Sequence, residues 1–112
     1  MTRPRHTLTP QVMDLVAGRF RALGDPARLG ILAALRDGES SVTDLVVATG
    51  LGQASVSKHL QVLHAGGFVA RRRDGLFVHY RLADRVVFQL CDLMCGRLDG
   101  EVDARRRTLA GK

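Results

Sequence analysis

With 112 residues the chain is sized for one domain, and its 46% hydrophobic and 25% charged residues exclude a disordered, collagen-like or disulfide-dense protein. The longest strictly apolar run, residues 31–35, falls far short of the ~18 residues of a membrane span or the roughly 7 to 15 of a signal-peptide core, so a cytoplasmic protein with no membrane partner is expected. Seventeen Lys and Arg against eleven Asp and Glu leave a net charge of +6, which points to a polyanionic partner if the excess is gathered in one place. A chain this short also gains by dimerising, because one small core covers only part of its apolar surface.

Residues 1–8 are expected as a flexible arm ahead of a domain over 9–100. Thr9-Pro10 sets a capping residue before a first-turn proline, and Val12, Leu15, Val16, Phe20 and Leu23 follow at helical spacing. Gly24 ends this first helix. Asp25-Pro26 repeats the device, and Leu29, Leu32 and Leu35 predict a second helix to about Asp37, stopped by Gly38. Ser41-Val-Thr-Asp44 has the form of a capping box with Asp in place of Glu. It opens a short third helix with Val42, Leu45 and Val46 inward and Gly50 at its end.

After Gly52, the run Gln53 to His64 predicts a fourth helix with Val56, Leu60 and Leu63 inward and Gln53, Ser55, Ser57, Lys58 and Gln61 outward. Gly66-Gly67 stops it. Phe68 to Arg73 and Phe77 to Leu82 read as two strands joined across Asp74-Gly75, a strong hairpin signal. Phe68, Phe77 and Tyr80 are expected to pack this hairpin onto the helices. From Asp84 a last helix carries Val87, Leu90, Cys91, Met94 and Leu98 on one side and grades into Arg105, Arg106 and Arg107, within a basic tail over 101–112. The expected architecture is mainly α, five helices with a β-hairpin between the fourth and the fifth.

The charge excess is gathered. Residues 52–81 hold Lys58, Arg71, Arg72, Arg73 and Arg81 against Asp74 alone. Two short helices across the tight Thr49-Gly50-Leu51-Gly52 turn, followed by a basic hairpin, make a winged helix-turn-helix by pattern, which suits double-stranded DNA. A helix about 10 to 12 Å across fits the major groove, where short donors and acceptors reach base edges. Gln53, Ala54, Ser55, Ser57, Lys58, His59 and Gln61 are the candidate contacts on the fourth helix. Its N-terminal amides suit a phosphate. Arg71, Arg72 and Arg73 of the hairpin are the further candidates, with Arg72 and Arg73 placed to follow a neighbouring backbone or to enter the minor groove; phosphate contacts would supply affinity while the helix reads sequence.

At Ala22-Leu-Gly-Asp-Pro-Ala-Arg-Leu29, Ile31-Leu32, Val56-Ser-Lys-His-Leu60, Leu63, Gly66-Gly67, Arg72-Arg-Asp-Gly75 and Tyr80-Arg-Leu82, the sequence closely resembles the ArsR/SmtB family of winged-helix repressors. The resemblance spans roughly residues 15 to 98. It implies a homodimer built on the first and last helices, with Val12, Leu15, Val16, Phe20, Val87, Leu90, Met94 and Leu98 at the interface. It also implies an imperfect palindromic operator and release by an inducer. One departure is Gly52, where the family often has a serine cap; glycine there costs only a few tenths of a kcal/mol.

Family members often sense metals through cysteines in the third helix or His and Asp pairs on the last, and this sequence has neither pattern. What it offers is Cys91 and Cys95, four apart on the last helix and so on one face. Helix neighbours at that spacing have Cβ atoms about 5 to 6 Å apart, against roughly 3.5 to 4.5 Å for a disulfide. Two thiolates closing on a thiophilic metal(loid) ion such as As(III), Cd(II) or Zn(II) are less strained, with zinc-like bonds of about 2.3 Å. Reactive sulfur or oxidants acting on these thiols are the competing chemistry. Simple packing beside the apolar seam remains open too, since cysteine behaves as a small buried hydrophobe.

Two other classes stand against a repressor. Val46 to Ser55 imitates a dinucleotide-binding fingerprint, but serine replaces the third glycine and no second βαβ unit follows, so no enzyme is expected. A winged-helix module that binds DNA nonspecifically, or binds protein, differs from a repressor in its specificity ratio.

Overall fold

The computed structural model describes residues 6–110, with side chains through residue 108. Five helices and a three-stranded sheet follow one another as α1 (Pro10–Leu23), α2 (Pro26–Ala34), β1 (Ser40–Ser41), α3 (Val42–Thr49), α4 (Gln53–Ala65), β2 (Val69–Asp74), β3 (Phe77–Leu82) and α5 (Val86–Ala110). The caps are where the sequence puts them. The Thr9 hydroxyl accepts from the Val12 amide at 3.2 Å, and the Asp25 carboxylate accepts from the Ala27 and Arg28 amides at 2.8 and 3.2 Å. Ser41 and Asp44 complete the reciprocal box, each side chain accepting from the other's amide at 3.1 Å. Gly50 closes α3 at φ 74°, a left-handed conformation that only glycine adopts without strain.

One core joins these elements. Ile31 and Leu32 of α2 and its C-cap Leu35, Leu45 of α3, and Val56, Leu60 and Leu63 of α4 are all essentially inaccessible, roofed by Phe68 and by Val69 and Tyr80 of the hairpin. The sheet order is β1-β3-β2, antiparallel throughout. β1 is absent from the sequence reading because Ser40 and Ser41 carry no apolar period; it exists by pairing with Tyr80 and His79 of β3. The second helix also ends earlier than its apolar pattern suggests. Residues 35–38 turn through shorter three-residue hydrogen bonds such as Arg36 to Ala33.

Two packing expectations are corrected. Val87, expected on the dimer face, is 1% exposed and belongs to this core, because the first turn of α5 lies against the body. Phe77, expected to pin the hairpin down, is 66% exposed. It pairs with Asp74 at the far end of the ladder, beyond the reach of the helices, and the two-residue turn is Gly75-Leu76 rather than Asp74-Gly75. Gly75 lies at φ 62° and Leu76 on the negative side, the arrangement of a type II′ turn.

The terminal helices are only lightly held. α5 is fastened at its start by Val87 and by Phe88, whose ring lies under the guanidiniums of Arg36 and Arg85 at 4.3 and 5.7 Å. It then runs on without a break at residue 100. The radius of gyration is 17.6 Å, against about 13 Å for a compact chain of this length. Leu15, Val16 and Phe20 of α1 and Leu90, Leu93, Met94 and Leu98 of α5 are left exposed. No helix among the described residues is long and apolar enough to cross a membrane.

Leu60→Ala empties a fully buried site and is expected to cost about 2 to 5 kcal/mol in chemical denaturation. Gly50→Ala meets no neighbour but must hold a left-handed backbone, and should cost about 1 to 2 kcal/mol. Backbone hydrogen bonds hold the Asp25 and Asp44 carboxyls below the ordinary aspartate range. Their contribution is therefore present above the unfolded value of about 3.9 and lost as pH falls through the lower folded values. An Asp25→Asn/Asp44→Asn variant should show a flatter acid-side decline in melting temperature than the native chain.

Candidate nucleic-acid interface

Burial of Val56, Leu60 and Leu63 fixes the rotation of α4 about its axis. At 3.6 residues per turn this aims Ala54, Lys58 and Gln61 directly outward and sets Ser55 and Ser57, both half-buried, on the two flanks. Gln53 is exposed in the first turn, behind the N-cap Gly52, which supplies no side-chain hydrogen bond. The helix start therefore offers amide donors with nothing from its own cap. The outward face has no acidic residue.

His59 lies apart from this face. It is half-buried, and its Nδ1 stands 3.3 Å from Arg28 Nη1. Arginine can only donate, so in this contact Nδ1 is the acceptor. Arg28 also donates from Nε to the Ala22 carbonyl at 2.6 Å and from Nη2 to the Arg21 carbonyl at 3.1 Å, and it stands 3.9 Å from Asp25. One guanidinium thus ties the end of α1 and the start of α2 to the middle of α4. Sequence spacing gave no sign of this, since Arg28 and His59 are 31 residues apart.

The three hairpin arginines do not act alike. The register pairs Arg71 with Tyr80 and Arg73 with Val78, so both stand on one sheet face, while Arg72 pairs with His79 on the other. Arg72 is held in a two-point ion pair by Glu39, Nη2 to Oε1 at 2.6 Å and Nε to Oε2 at 3.2 Å, with Asp74 3.9 Å away. The pairing lowers the Glu39 carboxyl below its ordinary range and raises the Arg72 guanidinium. Arg71 and Arg73 make no ion pair among the described residues. They border a shallow concavity of about 360 Å³ with Val78 and Tyr80.

Of the two thiols, Cys91 is half-buried against the core and Cys95 is exposed one turn further along α5. No group of three or more His, Cys, Asp or Glu side chains placed to hold a metal ion occurs among the described residues. The pair itself is soft and thiol-only, a donor set that fits a thiophilic ion provided further ligands come from outside the chain. Nearby, Val16, Phe20 and Leu23 of α1, Phe68 and Leu90 line an apolar groove of about 230 Å³ bordered by Arg19.

Comparison with known proteins agrees with this geometry. Residues 25–71 match the model of the bacterial regulatory protein arsR family. The chain is 43% identical over 90 residues to the transcriptional regulator NmtR of Mycobacterium tuberculosis, covering 80% of this chain and 75% of that one. It is 36% identical over 105 residues to the "Probable mercury resistance operon repressor" of Streptomyces lividans, covering 82% and 84%. The homodimeric winged helix-turn-helix DNA-binding domain of a Mycobacterium bovis protein superposes with a TM-score of 0.71 at 34% identity, covering 88% of this chain and 91% of that one. The chain belongs to the ArsR/SmtB family of winged helix-turn-helix DNA-binding transcriptional regulators, which are not enzymes.

Proposed function

We propose that the chain works in the cytoplasm as a homodimeric, sequence-specific repressor on a palindromic operator. The observation that carries this reading is the outward face of α4, polar and free of acid, followed directly by a hairpin whose Arg71 and Arg73 have no acidic partner among the described residues. Two copies joined through α1 and α5 would cover Leu15, Phe20, Leu90, Met94 and Leu98. They would set two α4 helices about 34 to 36 Å apart, one turn of DNA. Gln53, Ser57, Lys58 and Gln61 are then the base readers, with Ser55 and the helix amides at phosphate. Arg71 and Arg73 supply the wing's backbone contacts.

Release is assigned to Cys91 and Cys95, which would hold a thiophilic metal(loid) such as As(III), Cd(II) or Zn(II) on the helix that also joins the two copies. The relative named "Probable mercury resistance operon repressor" supports that chemical class. Exposure of Cys95 supports it over a purely packing role for the pair.

Fluorescence anisotropy on DNA from upstream of the gene, with scrambled competitor, tests the repressor reading. A preference of ~10³ or more for one site is expected; salt-dependent affinity without preference would make the chain a nonspecific binder. Gln53→Ala and Ser57→Ala should each relax preference at one position by about 1 to 3 kcal/mol, and unchanged preference would move readout elsewhere on α4. Arg73→Ala should weaken all sequences and reduce the salt slope by about 0.9. The double exchange Glu39→Gln/Arg72→Gln, which removes an already neutral pair, should leave that slope in place.

The thiol assignment is checked in the same assay. Arsenite or cadmium should release the native protein from its site and leave a Cys91→Ser/Cys95→Ser variant bound. Release by a persulfide donor alone would transfer the thiols to reactive-sulfur sensing, and indifference to all three would return them to packing.

A further inference from the structure

The hairpin tip carries an apolar surface that the fold does not explain. Leu76 is 97% exposed and Phe77 66%, side by side at the far end of the β2–β3 ladder. The exposed apolar residues of α1 and α5 form long stripes that a second copy can cover, whereas Leu76 belongs to no stripe. The turn does not require it either. Gly75 takes the positive φ, and position 76 has an ordinary negative φ that any polar residue accepts. A solvated hairpin turn is normally polar. Here a leucine and a phenylalanine stand at the end of a ribbon whose Arg71 and Arg73 lie on one face, without acidic partners among the described residues.

Those neighbouring cations decide what the tip meets. A polyanion answers them, and the minor groove of DNA, about 6 Å wide, admits one projecting side chain but not a pair of strands about 4.8 Å apart with their side chains. Leucine and phenylalanine are among the residues that enter the minor groove as wedges and part neighbouring bases. Pyrimidine–purine steps part most easily. We propose that Leu76, backed by Phe77, is an apolar wedge that the hairpin sets into the minor groove beside the α4 contacts, partly unstacking one base step in each half-site. The wedge selects sequence through deformability, at a step where no hydrogen bond is made, and Arg71 and Arg73 hold it against the backbone. This rests on the reading of α4 and the hairpin as the DNA-binding surface.

The test uses the full chain and a duplex carrying its site, with 2-aminopurine placed in turn at the steps flanking each α4 contact. Preference for that duplex over a scrambled one is measured first; without it the DNA-binding reading itself falls, and the wedge with it. Given that preference, the native protein should raise 2-aminopurine fluorescence at one step per half-site. Leu76→Ser, at a side chain buried by nothing, should abolish the rise and weaken binding about tenfold while keeping the native salt slope, since no charge is removed. Leu76→Met should restore both. A Leu76→Ser protein with native affinity and native fluorescence would overturn the proposal, as would a native complex in which no step brightens.

Discussion

Leu45, Val56, Leu60 and Leu63 close against Ile31, Leu32 and Leu35 to form a sealed core, and the placing of every other part follows from it. The residues that fill this core are those that fix the rotation of α4, so the chemistry of its outward face is set from the inside. Ala54, Lys58 and Gln61 point outward because three apolar neighbours point in. The same core is nearly complete within α2, α3, α4 and the hairpin. Among the described residues α1 contributes only Ala22 to its buried part and α5 only Val87, which leaves both terminal helices with exposed apolar faces. Burying one such large side chain is worth about 1.5 to 3 kcal/mol, and α1 and α5 together expose many.

Two ion-pairing side chains refine this plan. Arg28 gathers the Ala22 and Arg21 carbonyls, Asp25 and His59 around one guanidinium, so the helix with the uncovered apolar face and the helix with the polar face are mechanically joined. Glu39, in the turn before β1, takes Arg72 out of the hairpin's free charge. The wing therefore presents a single cationic face through Arg71 and Arg73, and an apolar tip through Leu76. Electrostatics and exposure at the hairpin point the same way, toward a ribbon with one side meant for a polyanion.

Much of this was legible in the residues because the signals were local. Thr9-Pro10, Asp25-Pro26 and the Ser41–Asp44 box act within one helical turn, and the intervals between Val56, Leu60 and Leu63 carry the burial of α4 directly. What escaped was non-local. β1 is two serines that become a strand only through their partners on β3. The Arg28–His59 and Glu39–Arg72 contacts join residues 31 and 33 apart, and no spacing rule reaches that far. Val87 shares the apolar period of α5 with Leu90, Met94 and Leu98, yet it alone faces the core because α5 leaves the body after its first turns. Phe77 looked like a packing residue by composition and proved to be at the end of the ladder.

In the proposed dimer the exposed faces of α1 and α5 are one half of a symmetric contact between two copies. Sedimentation equilibrium of the reduced chain, across a dilution series in the absence of DNA, reads that contact without help from an operator. A particle of twice the chain mass that persists to low concentration, and that Phe20→Glu or Met94→Glu converts to single folded chains, is the expected result. A native chain that sediments at its own mass throughout the series would rule that contact out.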